Sequence, residues 1–340
     1  MSDVLEADLY DAAESAAPAE WSKFVQTASL LAVWRWPVVH ASAGGTAGSC
    51  LGAVIRDGST TVALAMVRIR RLGPMLIADV EAPGTSALPG LAWPAAVDAP
   101  LGSTPIDVTF VANVIKAVES ALRARFGPRL RLIALRQVFA NLMPAVLTST
   151  SLTYEGTPVS YLHNRYDSFT EFLRTLGRSR RNDQARLLRR HDEDPTLTIS
   201  VGPVPTGWDA APFYQQSDDT SRRNHRQRFP PMRLQPRAVR DALVFGEDAR
   251  LMRYEEGGRL IGCGLIFDHS SAPLSSAWGA RHPSEGGRTG LWFDYMARAA
   301  RWAIESERCG FIAGKGLTAT KAELGYSSVR QWTVVRPLSR

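Results

Sequence analysis

The stretch from Trp278 to Tyr326 carries most of the residues whose types and spacing suit a reaction. A short extended run, Ser275-Ser276-Ala277-Trp278-Gly279, leads into the glycine-rich turn Gly286-Gly287-Arg288-Thr289-Gly290. A helical pattern follows from Leu291 to about Glu307, with Trp292, Tyr295, Met296, Ala299, Trp302 and Ala303 recurring at helical spacing. Backbone N–H groups at a helix N-terminus bind anions, so this turn, with Arg288 in it, suits a phosphate or a developing oxyanion. Tyr295 and Trp278 are candidate contacts to a substrate, although an aromatic stripe at this spacing is more often core. Lys315 lies in Gly310-Phe311-Ile312-Ala313-Gly314-Lys315-Gly316, which lacks the spacing and the Ser/Thr of a phosphate-binding loop. Two readings of Lys315 stand: a contact to an anionic substrate group, or a cap on the strand end.

The second chemical signal is arginine. Arg174, Arg178, Arg180, Arg181, Arg186, Arg189 and Arg190 crowd one segment against a single interior acid, Asp183. That excess repels itself unless an anion lies alongside. A second basic region surrounds Pro230-Pro231 with Arg222, Arg223, Arg226, Arg228 and Arg233. Phosphate contacts from such residues make binding weaken steeply with salt. Transfer RNA fits this footprint, as do a nucleotide-linked acceptor and the 3′-phosphate of coenzyme A. The net charge of +7 agrees in sign with an anionic partner.

These residues need elements to hold them. Asp8 to Ala28 reads as an amphipathic helix, Val33 to Val39 as extended, and Cys50–Arg56 with Thr61–Ile69 as a hairpin. Leu72 to Pro105 is rich in Gly and Pro and reads as a loop or lid. Ile106–Phe126 is helical, Arg131–Leu135 a strand, Asn141–Thr148 a short helix and Tyr154–Leu162 a strand. Asp167 to Glu193 reads as one basic helix, capped by Asp167 or Ser168 and ended by Pro195. Leu197–Val201 is a strand, Trp208–Asp219 a helix and Ser221–Arg240 a basic loop. The hairpin Ala249–Tyr254 with Arg259–Phe267 leads back to the reactive stretch. The plan of elements recurs in the two halves without a residue-level repeat.

At Leu291-Trp292-Phe293-Asp294-Tyr295, Trp302-Ala303-Ile304, Gly314-Lys315-Gly316-Leu317 and Lys321-Ala322-Glu323-Leu324-Gly325-Tyr326 the chain resembles the Fem-like peptidyltransferases. The resemblance implies two acyltransferase domains of the GNAT fold in tandem. It implies transfer of an amino acid from aminoacyl-tRNA to an acceptor amine. The family's lysine stands in Phe-Lys-x-x-Phe-Gly and is taken to stabilise the tetrahedral oxyanion; here the run is Thr320-Lys321-Ala322-Glu323-Leu324-Gly325. Lysine and glycine are kept while both aromatics differ. Lys321, with Thr320 beside it, is therefore the expected catalytic position, and a solvated surface lysine is the plain alternative. A similar Arg-rich helix follows the first domain in that family, which places the boundary near His163.

The expected fold is α+β, with a first GNAT-like domain over 1–162 and a second over 163–340 that includes the Arg-rich helix 167–193. The expected function is peptide or amide bond formation on a cell-wall precursor or a peptide-like natural product. The acceptor is an amine-bearing small molecule or peptide. Aminoacyl-tRNA is the co-substrate, and no other cofactor is required. An acyl-CoA N-acetyltransferase is the alternative, and a non-catalytic RNA-binding module on the same fold a second. The six histidines and three cysteines, Cys50, Cys263 and Cys309, show no metal-ligand spacing. No G-x-S-x-G elbow and no dinucleotide fingerprint is present. Nothing reads as a DNA-binding helix-turn-helix. A composition of 45% hydrophobic and 21% charged residues without a signal peptide or a spanning segment points to a cytoplasmic protein.

Overall fold

The computed structural model describes residues 5–14, 16–43, 49–94, 107–224 and 237–338. In chain order the elements begin with β1 (Glu6–Asp11), α1 (Ala19–Thr27), α2 (Trp36–Ala43), β2 (Cys50–Asp57), β3 (Thr60–Leu72), β4 (Met75–Val80) and β5 (Leu91–Ala92). They continue with α3 (Val108–Phe126), β6 (Leu130–Phe139), α4 (Met143–Val146), β7 (Leu152–Glu155), β8 (Val159–His163), α5 (Phe169–Thr175) and α6 (Arg178–Asp192). Next come β9 (Leu197–Pro203), α7 (Ala211–Asn224), α8 (Arg237–Val244), β10 (Ala249–Glu256), β11 (Arg259–Phe267) and β12 (Leu274–Ala280). The last are α9 (Leu291–Glu305), β13 (Gly310–Lys315), α10 (Thr318–Glu323), β14 (Ser327–Val329) and β15 (Gln331–Pro337).

Two sheets result. The first has the order β1-β2-β3-β4-β6-β15-β7 with β5 added to β3, and the second β9-β10-β11-β12-β13-β8-β14. Element by element the two orders match. In each, a meander of antiparallel strands ends on a helix, α3 or α9, that crosses to a parallel neighbour. The sixth strand is exchanged: β8, from the end of the first half, enters the second sheet, and β15, the last strand, enters the first. Two compact units follow, one of Met1–Val159, Pro236–Leu243 and Val329–Arg340, the other of Ser160–Gln235 and Val244–Ser328. Sequence places residues 329–340 with the second domain, whereas β15 bonds to β6 and β7 of the first sheet.

Four local readings are corrected. Asp8 to Ala28 begins as a strand because Glu6–Asp11 pairs with Arg56–Leu51 of β2, and the helix starts only after Pro18. The valine-rich run Val33–Val39 is helical instead of extended, its β propensity overridden where Pro37 sits in the first turn of α2. Leu72–Pro105 holds β4 and β5, with residues 95–106 outside the described set. Tyr154–Leu162 is two strands in different sheets, divided by Gly156 and Pro158.

The Asp167–Glu193 helix is broken in two. Ser168 caps α5 by accepting from the Glu171 N–H, and the Glu171 carboxylate accepts in return from the Asp167 N–H. Leu176 is extended and Gly177 precedes α6. The break lets Phe169, Phe172 and Leu176 pack on α9 while α6 starts in a new direction. The first unit has its own core, where Trp21 contacts Trp34 and Trp36 with ring centroids 6.2 and 5.2 Å away. Gly52 admits these rings, because a Cβ there would stand 2.7 Å from Trp36.

Candidate active site

In the second unit the parallel strands β12 and β13 meet at one register position, Leu274 opposite Ile312, and then separate. Beyond that point their facing backbone edges open a cleft of about 880 Å³. It is bounded by β12, the turn and first residues of α9, the end of β13, α10 and the end of α7. Side chains of Trp278, Tyr295, Leu291 and Met296 supply apolar wall, and Trp292, Phe293 and Leu317 also border the space.

Tyr295 is fully buried and its ring stacks on Trp278 at 4.9 Å and 27°. The ring lies on β11 at Gly264, where a Cβ would come within 2.1 Å of it. Its hydroxyl shares a 2.8 Å hydrogen bond with Ser275 Oγ, on the first residue of β12 past the pairing point. Burial raises the Tyr295 phenol above its ordinary range, so it stays protonated.

Lys321 is 4% exposed, on the inner side of α10. Its ammonium donates to the carbonyls of Ala313, Gly314 and Lys315 at 2.7, 3.2 and 3.4 Å. The carbonyls converge because Gly314, Gly316 and Leu317 all adopt positive φ, folding the end of β13 around the charge. No carboxylate pairs with it among the described residues, and burial pushes its pKa down to about 8. Thr320 borders the cleft beside it, and the Lys315 side chain lines the same wall.

Arg288 and Arg223 border the other end. Arg288 is held by Asp194 at 2.5 Å, Glu256 at 2.6 Å and Thr196 Oγ1 at 2.7 Å. It ties β9, β10 and the turn before α9 together; hydrogen bonds from the Thr196 hydroxyl and from Arg288 hold the Asp194 carboxyl below its usual range, and the bond from Arg288 does the same for Glu256. Arg223 donates to Thr220 Oγ1 at 3.0 Å and to the Ala280 carbonyl at 2.7 Å. The cleft thus gathers Lys321, Thr320, Tyr295, Trp278, Lys315, Arg288 and Arg223.

The other arginines lie elsewhere. Arg174, Arg178, Arg186, Arg189 and Arg190 are exposed, while Arg180 and Arg181 are half-buried. Arg180 pairs with Glu323, Arg186 with Asp183 at 2.8 Å, and Arg181 reaches the Arg174 carbonyl. Among the described residues no carboxylate pairs with Arg174, Arg178, Arg189 or Arg190. Leu187 of α6 packs on Gly290, and the Arg190 guanidinium approaches the same glycine. Arg222 pairs with Asp219 at 3.4 Å, and Arg226 lies outside the described residues.

Sequence reasoning did not single out Asp294 as a site residue. Its carboxylate is fully buried and accepts from Tyr254 Oη at 2.8 Å, His191 Nδ1 at 2.9 Å and Arg298 Nε at 2.6 Å. Burial opposes its charge, but the bonds from His191 and Arg298 prevail and hold its pKa low. Arg298 also bonds Asp192 at 2.5 Å, so α6 is fixed to α9 at two points. Tyr254 in turn sets its ring edge against Trp278 at 5.8 Å. The legible signal was positional: Asp294 lies three residues after buried Leu291 and four before Arg298, on the inward stripe.

No family profile matches the chain, and no curated protein matches it in sequence. Solved structures do. Its fold is similar to FemX, with a TM-score of 0.61 at 9% identity over 94% of this chain and 96% of that one. It is also similar to L-PGS from Bacillus licheniformis, with a TM-score of 0.57 at 11% identity over 94% and 92%. A third is the C-terminal domain of a protein described as a lysylphosphatidylglycerol synthetase from Agrobacterium fabrum, with 0.58 at 14% over 93% and 91%. The chain has the tandem GNAT-like fold. At these identities the likeness shows architecture alone. Among the described residues no group of His, Cys, Asp and Glu is placed to hold a metal, and no helix is long and apolar enough to cross a membrane. Cys50 and Cys263 are buried, and burial pushes the Cys50 thiol up to about 12.

Proposed function

We propose that the second unit is an aminoacyltransferase that passes an amino acid from aminoacyl-tRNA to an amine. The observation that carries this reading is the Lys321 ammonium, buried at the open end of β13 and held by backbone carbonyls, with no counter-carboxylate among the described residues. An ester carbonyl placed in the cleft needs two things: an amine held against it and a cation where negative charge develops. Of the three carbonyl contacts, the 3.4 Å one to Lys315 is the weakest, so that N–H turns most readily to a substrate oxyanion. The ester is already activated, and no metal or nucleotide enters the reaction.

Tyr295 and Trp278 form the wall against which the acyl group is oriented. Arg223, Lys315 and the arginines of α6 favour an anionic donor, and Arg190, close to Gly290, continues that surface from the neighbourhood of the turn. The resemblance at Lys321 to Tyr326 supports the same chemistry, on a fold similar to that of FemX. The acceptor in this reading is a cell-wall precursor or a peptide-like natural product in the cytoplasm.

The test is transfer of radiolabel from a pool of charged tRNAs to a mixture of amines, with labelled acetyl-CoA run in parallel. Label that moves from one charged tRNA and stops on ribonuclease treatment supports the reading. Label that moves only from acetyl-CoA assigns the cleft to an acyl-CoA N-acetyltransferase instead.

A further inference from the structure

The hydrogen bond between Tyr295 and Ser275 has a direction set by burial. The two hydroxyl oxygens are 2.8 Å apart, and neither hydroxyl has another hydrogen-bond partner among the described residues. Tyr295 is 1% exposed, while Ser275 is half-buried on the cleft wall. Were Ser275 the donor, the Tyr295 O–H would be left unmatched in the core, which is costly. With Tyr295 as donor its proton is satisfied, and the Ser275 O–H is the one left over, at a wall that borders open space. The phenol is also the stronger acid of the two, and burial holds it protonated. The bond therefore runs from Tyr295 to Ser275, and the serine proton is available to a molecule in the cleft.

Ser275 stands where the two strands part. β12 and β13 pair at Leu274 opposite Ile312, so the next residues in register are Ser275 and Ala313. The Ala313 carbonyl holds the Lys321 ammonium at 2.7 Å, and the Ser275 carbonyl lies beside Gly314, where a Cβ would stand 3.3 Å from it. One strand thus brings a hydroxyl to the opening, and the other brings the gripped ammonium. We propose that Ser275, oriented by Tyr295, is a catalytic residue that donates its O–H to the carbonyl oxygen of the aminoacyl ester and acts together with Lys321. This rests on the transfer reading above. As the amine nitrogen attacks the carbonyl carbon, the new C–N bond forms and the carbonyl π pair moves onto its oxygen, where Ser275 and Lys321 meet the developing charge. The pair then returns to re-form C=O and the C–O bond to the ribose breaks. Its electrons stay on the ribose oxygen, which takes the proton shed by the nitrogen. Ser275 keeps its own proton throughout, so the step needs no further reactant.

The experiment measures transfer and stability together in Ser275→Ala, Tyr295→Phe and the double variant. Labelled aminoacyl-tRNA and labelled acetyl-CoA are supplied in separate arms with a mixture of amines, and denaturant unfolding is followed on the same preparations. Ser275→Ala should lower kcat by about 10²–10³ with KM little changed, the loss expected when one oxyanion donor is removed. It should also lower the unfolding midpoint, because the buried Tyr295 hydroxyl loses its acceptor. Tyr295→Phe alone keeps the serine but not its orientation, and should lower kcat less. The double variant removes the stranded hydroxyl, so it should regain most of the lost midpoint while its kcat stays within about twofold of that of Ser275→Ala. Recovery of kcat along with stability would make Ser275 a mere support for Tyr295 and overturn the assignment. An unchanged kcat in Ser275→Ala, or a loss confined to KM, also overturns it and leaves the transfer reading intact. Label moving only from acetyl-CoA defeats the aminoacyl-tRNA reading, and the same variants still decide the assignment, because an acyl thioester develops the same oxyanion. A parent enzyme that moves label in neither arm sinks the transfer reading and the assignment with it.

Discussion

The two sheets share one strand order and differ at one junction. In the first unit the parallel pair β4 and β6 stays zipped from Leu76 opposite Leu130 to Val80 opposite Leu135. The loop after β4 then packs down on the strands, with Glu81 bridged to Pro89 and the Met66 N–H bonded to Gly90. In the second unit the corresponding pair β12 and β13 meets once and parts. Among the described residues each unit also buries one carboxylate. Asp79 sits on the zipped strand itself, gripped by Arg136 at 2.6 Å and Arg70 at 2.5 Å. Asp294 sits behind the open pair, on the crossing helix, and leaves the space between the strands clear. One topology thus gives a filled junction or a cleft, according to where its charged residues are placed.

The largest effects should come from those two carboxylates. Removing one partner of a buried, hydrogen-bonded ion pair typically costs 3–5 kcal/mol. Asp79→Ala should therefore lower stability by about that amount and leave the properties of any surviving folded enzyme unchanged. Asp294→Ala should cost a similar amount and, in addition, loosen Trp278 through Tyr254, raising KM in the folded fraction. Denaturant unfolding together with steady-state kinetics distinguishes the two. Equal KM changes in both variants would show that the units are not as separate in role as their junctions suggest.

Next in size is Lys321. Lys321→Ala should lower kcat by about 10²–10³, the loss seen when one donor to an oxyanion is removed. The first unit is the control, because Arg136 is bonded to the carboxylate of Asp79. Arg136→Ala should change stability and leave kcat of the folded enzyme alone. A Lys321→Ala enzyme that turns over at the normal rate would remove the oxyanion role and leave Lys321 as the pin that holds the end of β13.

Acidity sharpens the same contrast. The ammonium form of Lys321 is required for catalysis, so kcat should fall as pH rises through about 8, and Lys321→Arg should carry that limb to higher pH. Stability should move the other way. Below pH 8 the folded and unfolded chains both hold the proton, and the cost of burying the charge is fully present. Between about 8 and the ordinary lysine value of 10.5 the folded chain sheds its proton first, so this group's contribution to stability rises with pH. The rise amounts to about 3 kcal/mol at one pKa unit per 1.36 kcal/mol. It is measured as the difference between the parent and Lys321→Met across that window, which cancels groups common to both.

The sequence revealed elements with strong local patterns and missed those set by distant partners. The helices α3 and α9 and the hairpins β2–β3 and β10–β11 are legible because each carries its own period and turn. The strand β1 is not, since only pairing with β2 makes Glu6–Asp11 extended. The exchange of β8 and β15 leaves no local trace at all, because each segment reads as a strand whichever sheet it joins. At the site, Lys321, Tyr295 and Trp278 could be named from spacing and resemblance. That Arg288 is a clamp between Asp194 and Glu256 could not, because its partners lie 94 and 32 residues away. Asp294 was hidden by a sufficient simpler explanation, its place in a helix's first turn.

The smallest expected effect concerns α6. If the exposed, unpaired Arg178, Arg189 and Arg190 each meet a phosphate, their contribution is mainly electrostatic and uniform among tRNAs. Each Arg→Gln change should then reduce the steepness of log K against log salt by about 0.7–0.9 and weaken binding a few-fold at moderate salt, with kcat at saturation unchanged. Arg186→Gln is the internal comparison, because Arg186 already pairs with Asp183. It should alter the slope less than the other three. Filter binding of a charged tRNA across a salt series reads all four. A slope that none of them changes would detach α6 from nucleic-acid binding and leave the donor's phosphates to the cations of the cleft and of the second basic region.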